Sequence, residues 1–271
     1  RSSSQARRNR RKGLAMPLAM FDLTGKTVIV TGAGRGLGRA MADGIAAAGA
    51  ATVVAGRTEA DVREAAAAIE AAGGRAHAIV FDATRRADVE RLVAETVTTF
   101  GGLDGIVVNH GVGLAKPADA VTDEDWDRVL DVNLKSAFVC AQVAGRRMVA
   151  QGAGSIVFVS STASLVGFDK LVAYGASKGG MDQMVRQLAV EWGARGVRVN
   201  AINPGYTTND MRGTEKRHAA AELNAEMRRL TPMQRRGTPG EFAGPAVFLL
   251  AEASSFVNGV CLAVDGGYCA M

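Results

Sequence analysis

Tyr174 and Lys178 stand four residues apart, with Ser161 thirteen residues before the tyrosine. Residues four apart on a helix share a face, so a phenol and an ammonium group would point the same way. A free tyrosine titrates at about 10 and exchanges protons poorly at neutral pH. A cation a few ångströms away favours the phenolate and lowers that value. Lys178 would then make Tyr174 a usable acid or base, with the Ser161 hydroxyl at hand to hold a reacting oxygen. A Tyr-x-x-x-Lys pair alone is commonplace on helix surfaces, so its meaning rests on what surrounds it.

A glycine-rich turn, TGAGRGLG, spans residues 31–38 between an apolar run and a helical stretch. Such a turn aims backbone N–H groups and a helix N-terminus at a negative ligand. Glycine also permits positive φ and the close approach of a pyrophosphate. The spacing is Gly32-xxx-Gly36-x-Gly38, with Arg35 and Leu37 between, and departs from strict G-x-G-x-x-G. Its place after the first strand of an alternating pattern points to dinucleotide binding. An acid ending the second strand would bind a ribose 2′-hydroxyl, but here the strand ends Val54-Ala55-Gly56-Arg57. Arg57 can pair bidentately with a 2′-phosphate, Gly56 leaves room for it, and Arg35 adds a second cation. NADP(H) is therefore the expected cofactor, ahead of NAD(H). Asp82, closing the third strand, reads either as an acceptor for the adenine amino group or as a turn residue.

Strand and helix patterns alternate from Lys26 onward. The expected strands are Lys26–Thr31, Ala51–Gly56, Arg75–Phe81, Asp104–Asn109, Ser155–Ser160, Val197–Asn203 and Cys261–Val264. Helices are expected at about 36–48, 59–72, 86–100, 174–195 and 239–252. Asp123–Ala150 reads as one long helix with Thr122 as its N-cap. The alternation implies a single-domain α/β fold of Rossmann type: a doubly wound parallel sheet of about seven strands with helices on both faces. Ligands bind such sheets beyond the carboxyl ends of the strands, where strand order reverses.

The 271 residues carry a net charge of +5, yet Arg1, Arg7, Arg8, Arg10, Arg11 and Lys12 sit in an acid-free stretch, and without these six positives the remainder stands at −1. That balance gives no support for a nucleic-acid face. Residues 1–20 read as a basic extension, either disordered or resembling a transit segment; residues 21–271 read as the catalytic domain. No apolar run approaches the roughly 20 residues that cross a bilayer, so no membrane partner is expected. Cys140, Cys261 and Cys269 are too scattered for a disulfide framework and fit a reducing, cytoplasmic setting. His77, His110 and His218 lack metal-ligand spacing, and no metal is expected.

Taken together, TGAGRGLG (31–38), NHG (109–111), Asn133, Ser161, YGASK (174–178), VNAINPG (199–205) and VDGG (264–267) resemble the short-chain dehydrogenase/reductase family over about residues 21–271. The resemblance implies an oxidoreductase moving a hydride between a nicotinamide dinucleotide and an alcohol or ketone carbon. It implies Tyr174 as acid/base, Ser161 as holder of the substrate oxygen, Lys178 on the nicotinamide ribose, and Asn133 fixing a water in a proton path. Its cofactor site would comprise Gly32, Arg35, Gly36, Leu37, Gly38, Arg57, Asp82, Asn109, Gly111, Tyr174, Lys178, Pro204, Gly205, Thr207 and Asn209. Two positions depart from the family. Asn109-His110-Gly111-Val112 replaces the usual Asn-Asn-Ala-Gly; His110 reads as a packing or hydrogen-bonding substitute for asparagine, or as a cofactor contact adding pH dependence. Asn209 stands where the family often carries threonine.

The substrate pocket is expected between Val112–Lys116, Thr162–Leu171 and a lid at 206–230 with a short helix near 218–230. The lid's Arg212, Lys216, Arg217, Arg228 and Arg229 read as a solvated face, or as an attraction for an anion. The C-terminal half is similar to gluconate 5-dehydrogenase-like and polyol dehydrogenases and to 3-oxoacyl-carrier-protein reductases. A sugar, polyol or similar small hydroxy compound is the expected substrate, and a 3-oxoacyl-carrier-protein reductase is the alternative. A non-catalytic dinucleotide sensor would be expected to lose Tyr174, Lys178 or Ser161, and all three are present. The resemblance also pairs the helices bearing Ala137, Ala141, Ala144, Met181 and Met184 with neighbouring subunits, in a tetramer or dimer.

Overall fold

A computed structural model describes residues 19–208 and 221–271. Seven strands form one sheet: β1 Thr27–Thr31, β2 Ala51–Gly56, β3 Arg75–Val80, β4 Gly105–Val108, β5 Gly154–Val159, β6 Val197–Pro204 and β7 Cys261–Val264. Their order is β3-β2-β1-β4-β5-β6-β7, and every pairing is parallel. The chain builds outward from β1 to β3, returns to place β4 on the other side of β1, and then builds outward again. The reversal lies between β1 and β4, whose register pairs Val28 with Gly105 and Val30 with Val107. Every residue of β1, β2 and β4 is buried. That is why these strands read as apolar runs rather than alternating ones.

The helices are α1 Gly36–Ala47, α2 Glu59–Ala71, α3 Arg86–Phe100, α4 Asp123–Leu130, α5 Ser136–Gln151, α6 Val172–Gly193, α7 Ala221–Leu230 and α8 Ala243–Leu250. Side chains alternate across the strands, and two cores result. Ile29, Ile106, Val108, Ile156 and Phe158 meet Leu92, Cys140, Met148, Met181 and Trp192 from α3, α5 and α6. Val28, Val30, Val107 and Val157 meet Met41, Ile45, Ile69 and Leu249 from α1, α2 and α8.

The expected single helix over 123–150 is divided. Thr122 does cap it, its hydroxyl accepting the Asp125 N–H, but Asp131–Lys135 forms one wide π turn between α4 and α5. The fourth strand is shorter than expected, Asp104 and Asn109 lying outside it. The helix carrying Tyr174 begins at Val172 and ends at Gly193. The stretch from Pro239 opens as a 3-10 turn, Pro239–Phe242, before α8. At the other end, Met20 already belongs to the fold: its carbonyl accepts the Ala253 N–H, and the Phe21 ring lies 6.3 Å from that of Phe248. Among the described residues no helix is long and apolar enough to cross a membrane.

Candidate active site

The glycine turn runs from β1 into α1. Gly32 and Gly36 hold positive φ, 62° and 58°. Gly38 has no room for a side chain, since a Cβ there would collide with the Gly32 carbonyl and the Asn109 amide. A Cβ on Gly34 would lie 2.6 Å from that of Asp61. Arg35 precedes α1, whose first turn has neither a side-chain cap nor an acid. Its leading N–H groups therefore remain available to an anion.

Asn109 anchors this turn from across the reversal. Its amide donates to the Thr31 and Gly32 carbonyls at 3.0 and 3.2 Å, and its own N–H donates to the Thr31 hydroxyl at 2.9 Å. His110 continues the brace, with Nδ1 2.8 Å from the Thr31 hydroxyl and Nε2 2.7 Å from that of Ser136. Ser136 gives its single proton to the Val132 carbonyl at 2.6 Å. Nε2 must then be the donor, and Nδ1 accepts from Thr31. Burial, with the positive charges of Lys178 and Arg57, holds the His110 imidazole down at about 4. These bonds tie β1 to α5, and His110 also lines the cleft described below.

Asp82 Oδ1 accepts both the Thr84 N–H and its hydroxyl, at 3.0 and 2.7 Å, so the residue does form a turn. Partial burial raises its carboxyl, but the Thr84 bonds and the charges of Arg57 and Arg85 outweigh this and leave it lowered. It also lines the cleft described below.

Asn133 lies fully buried in the π turn. Its Oδ1 accepts the Val112 N–H at 2.8 Å, while Nδ2 donates to the Val112 carbonyl at 2.9 Å and to the Ser177 hydroxyl at 3.2 Å. It thus ties the segment after β4 to α6. Gly111 fits against it: an added Cβ would come within 3.2 Å of Asn133 Oδ1 and 4.0 Å of Lys178 Nζ.

Ser161 follows β5 and Tyr174 lies in the first turn of α6; the Ser161 hydroxyl is near enough to favour the Tyr174 phenolate. Lys178 Nζ donates to the Val159 carbonyl at 2.8 Å and sits 5.8 Å from the Tyr174 ring centroid. Only 4% of Lys178 is exposed. Burial lowers its ammonium to about 8, with Asp182 pulling the other way. The expected depression of the Tyr174 phenol does not occur in the protein alone. Burial raises it, and the Ser161 hydrogen bond offsets only part of that. Lys178 is not among the causes of the shift, its ammonium bonding the Val159 carbonyl instead.

A second group supports this trio without any motif to announce it. Asp182, one turn beyond Lys178, is buried, and its Oδ2 accepts from Ser164 Oγ and Asn203 Nδ2 at 2.6 and 2.8 Å. Ser164 Oγ also lies 2.6 Å from the Ser161 carbonyl, so its single proton can serve either acceptor, and Asn203 Nδ2 donates to that carbonyl at 3.2 Å. An acid four residues from Lys178 on a mainly apolar helix was the one available sequence signal.

All of this opens on one cavity of about 630 Å³, well within the range of a cofactor site. Gly32, Gly34, Arg35, Leu37, Arg57, Asp82, Asn109 and Gly111 line it, as do Ser161, Tyr174, Lys178, Pro204, Gly205 and Thr207. Gly36, Gly38 and Asn133 stand behind that lining. Asn209, with Arg212, Lys216, Arg217 and His218, lies outside the described residues. The residues present fit a dinucleotide. One end offers glycine-lined backbone N–H groups and cations, and the other a buried ammonium with one strong acceptor and protons to spare.

A family model described as enoyl-(acyl carrier protein) reductase matches residues 32–269. An NAD-dependent glycerol dehydrogenase of Listeria innocua is 38% identical, over 92% of this chain and 95% of its own. A protein of Beutenbergia cavernae, described as an NAD(P)-dependent gluconate 5-dehydrogenase with bound NADP, is 41% identical; the match covers 93% of this chain and all of that one at a TM-score of 0.88. A gluconate 5-dehydrogenase of Burkholderia cenocepacia in complex with NADP and tartrate is 33% identical, covering 94% and 99% at a TM-score of 0.90. With this fold and these relatives, the chain belongs to the short-chain dehydrogenase/reductase family. It is an oxidoreductase of the NAD(P)-linked kind.

Proposed function

We propose that the protein interconverts a secondary alcohol and a ketone on a sugar, sugar acid or polyol, with Tyr174 as the proton-transfer group and NADP(H) as the preferred cofactor. The observation that carries this reading is the shared cleft: the glycine turn and the Ser161–Tyr174–Lys178 trio line one cavity. Bound there, the dinucleotide would supply or accept the hydride. Ser161 holds the substrate oxygen beside the phenol. Tyr174 gives that oxygen a proton in reduction and removes one in oxidation. Lys178 uses its spare N–H donors on ribose hydroxyls, and Asn133 keeps the loop after β4 in place behind it. Arg35 and Arg57 hold the 2′-phosphate.

The relatives' descriptions support the substrate class, since they name glycerol, threitol and gluconate. They divide on the cofactor: the Listeria relative is described as NAD-dependent, the two gluconate dehydrogenase structures contain NADP. Free thiols at Cys140, Cys261 and Cys269 support a cytoplasmic site of action. Exposed Phe138 on α5 and Val190 on α6 support self-association through those helices, to a dimer or tetramer. The deciding experiment assays gluconate, glycerol, threitol and their ketones with both cofactors, using wild type and Tyr174→Phe. Turnover lost in the variant with dinucleotide binding kept is the expected result. Unchanged turnover would remove Tyr174 from the chemistry.

A further inference from the structure

We propose that Arg236, seated on the Tyr206 ring, is a carboxylate subsite in the cleft, so that hydroxy and keto acids are taken ahead of uncharged alcohols. This rests on the alcohol-oxidoreductase reading above. Arg235 and Arg236 are neighbours with opposite employment. Exposed Arg235 is clamped by both oxygens of Glu241, Nη1 to Oε2 at 2.8 Å and Nη2 to Oε1 at 2.7 Å. Arg236 is half-buried and lines the same cavity as Ser161 and Tyr174.

The acceptors of Arg236 are all neutral. Nε and Nη2 donate to Asn224 Oδ1 at 3.3 and 3.0 Å, and Nη1 donates to the Thr207 carbonyl at 3.3 Å. One hydrogen on each terminal nitrogen is left over, and among the described residues no carboxylate is within ion-pair reach. A guanidinium keeps its charge in any protein setting. Partial burial without an anion is therefore unfavourable, and the two spare hydrogens match the two oxygens of a carboxylate.

The side chain is held in place for this. Its guanidinium carbon lies 5.6 Å from the Tyr206 ring centroid, a cation–π distance. Tyr206 meets Phe168 and Tyr268 edge-on at 6.0 and 5.5 Å, and those two rings stack at 5.5 Å. The acids that line the cavity, Asp61 and Asp82, stand with Arg57 beyond β2 and β3. Among the described residues, no acidic residue lines the cavity beside Ser161 to repel an anion.

The same chemistry would suit the diphosphate of the dinucleotide, so the test separates the two. We would compare gluconate with the uncharged hexitol of equal chain length in wild type, Arg236→Gln and Arg236→Lys, and titrate each variant with NADP+. The expected result is a roughly 10- to 100-fold loss of kcat/KM for gluconate in Arg236→Gln, a partial loss in Arg236→Lys, and hexitol turnover and NADP+ affinity within about twofold of wild type. Equal losses on both substrates would assign Arg236 a purely structural role. Weakened NADP+ binding alone would assign it to the cofactor. Both results overturn the subsite. If the wild type oxidises no alcohol, the enzymatic reading fails separately. Calorimetry of gluconate on the NADP+-saturated protein then decides the subsite: binding present in wild type and absent in Arg236→Gln sustains it, and no binding to wild type refutes it.

Discussion

Tyr174 raised by burial and Lys178 lowered to about 8 give the two reaction directions different pH behaviour. Reduction needs a protonated phenol and a charged ammonium, so its kcat/KM should hold at neutral pH and fall as pH rises through about 8. Oxidation needs phenolate and should be favoured by alkali. Profiles from pH 6 to 10 in both directions check this; coincident profiles would contradict it. Lys178→Met should cut turnover by about 10²-fold or more and yet raise the melting temperature of the ligand-free protein. The sign follows from linkage: a lysine depressed from 10.5 to about 8 carries no penalty above its unfolded value and the full penalty below the folded one. His110 obeys the same rule. Its folded value of about 4 against 6.5 means stability is complete above about 6.5 and is lost as pH falls towards 4, by at most about 3 kcal/mol. Melting curves of wild type and His110→Asn should therefore converge or cross on acidification, and parallel curves would show the imidazole to be uncoupled. At this scale the sequence revealed which residues take part but not their protonation. Spacing places Lys178 on Tyr174's face, whereas the sign of the shift is set first by burial of the phenol, which spacing does not show.

Between elements, packing at glycine decides the outcome. Gly145 on α5 faces Trp192 on α6, and a Cβ there would come 2.5 Å from the indole ring. Gly145→Ala should destabilise by about 1–3 kcal/mol, read by urea denaturation, with little effect on KM. Gly38→Ala strikes the Gly32 carbonyl and should weaken dinucleotide binding, measured by fluorescence titration, more than it lowers the melting temperature. The break between α4 and α5 was illegible beforehand, because Asp131-Val-Asn-Leu-Lys135 contains no proline or glycine to mark it. Its cause is tertiary: Asn133 spends its amide on Val112 and Ser177, and a wide turn at a functional side chain is the usual place for a π insertion. The buried strands were legible for the opposite reason, since a strand covered on both faces must be apolar throughout.

For the whole molecule, Arg35 and Arg57 should make NADP+ a better stabiliser than NAD+. At a concentration of 100 times Kd, a ligand adds about 2.7 kcal/mol, so thermal shifts with the two nucleotides give the preference directly. Equal shifts would remove the 2′-phosphate claim. Gly56→Asp should narrow the gap, provided the Val62 methyl, 3.0 Å from a Cβ at that position, yields slightly. A chain starting at Met20 should fold and turn over like the longer one, because Met20 already contributes its carbonyl to Ala253; insolubility of that form would contradict this. The parallel direction of the strands followed from alternation and the handedness of crossovers, whereas their order did not. The Arg236 seat did not, since two adjacent arginines carry no mark of which one will meet Glu241.

The pairing of β1 with β4 has a consequence during synthesis. β1 is finished by residue 31, but its second neighbour, Gly105–Val108, leaves the ribosome some seventy residues later. Until then one side of the strand is bare, with its N–H and C=O groups exposed to any extended peptide nearby. The phosphate turn likewise waits for Asn109 to brace it. Fragments ending before β4 should therefore aggregate and fail to retain nucleotide. Those running past β5 should become progressively protease-resistant, which a ladder of stalled nascent chains would reveal.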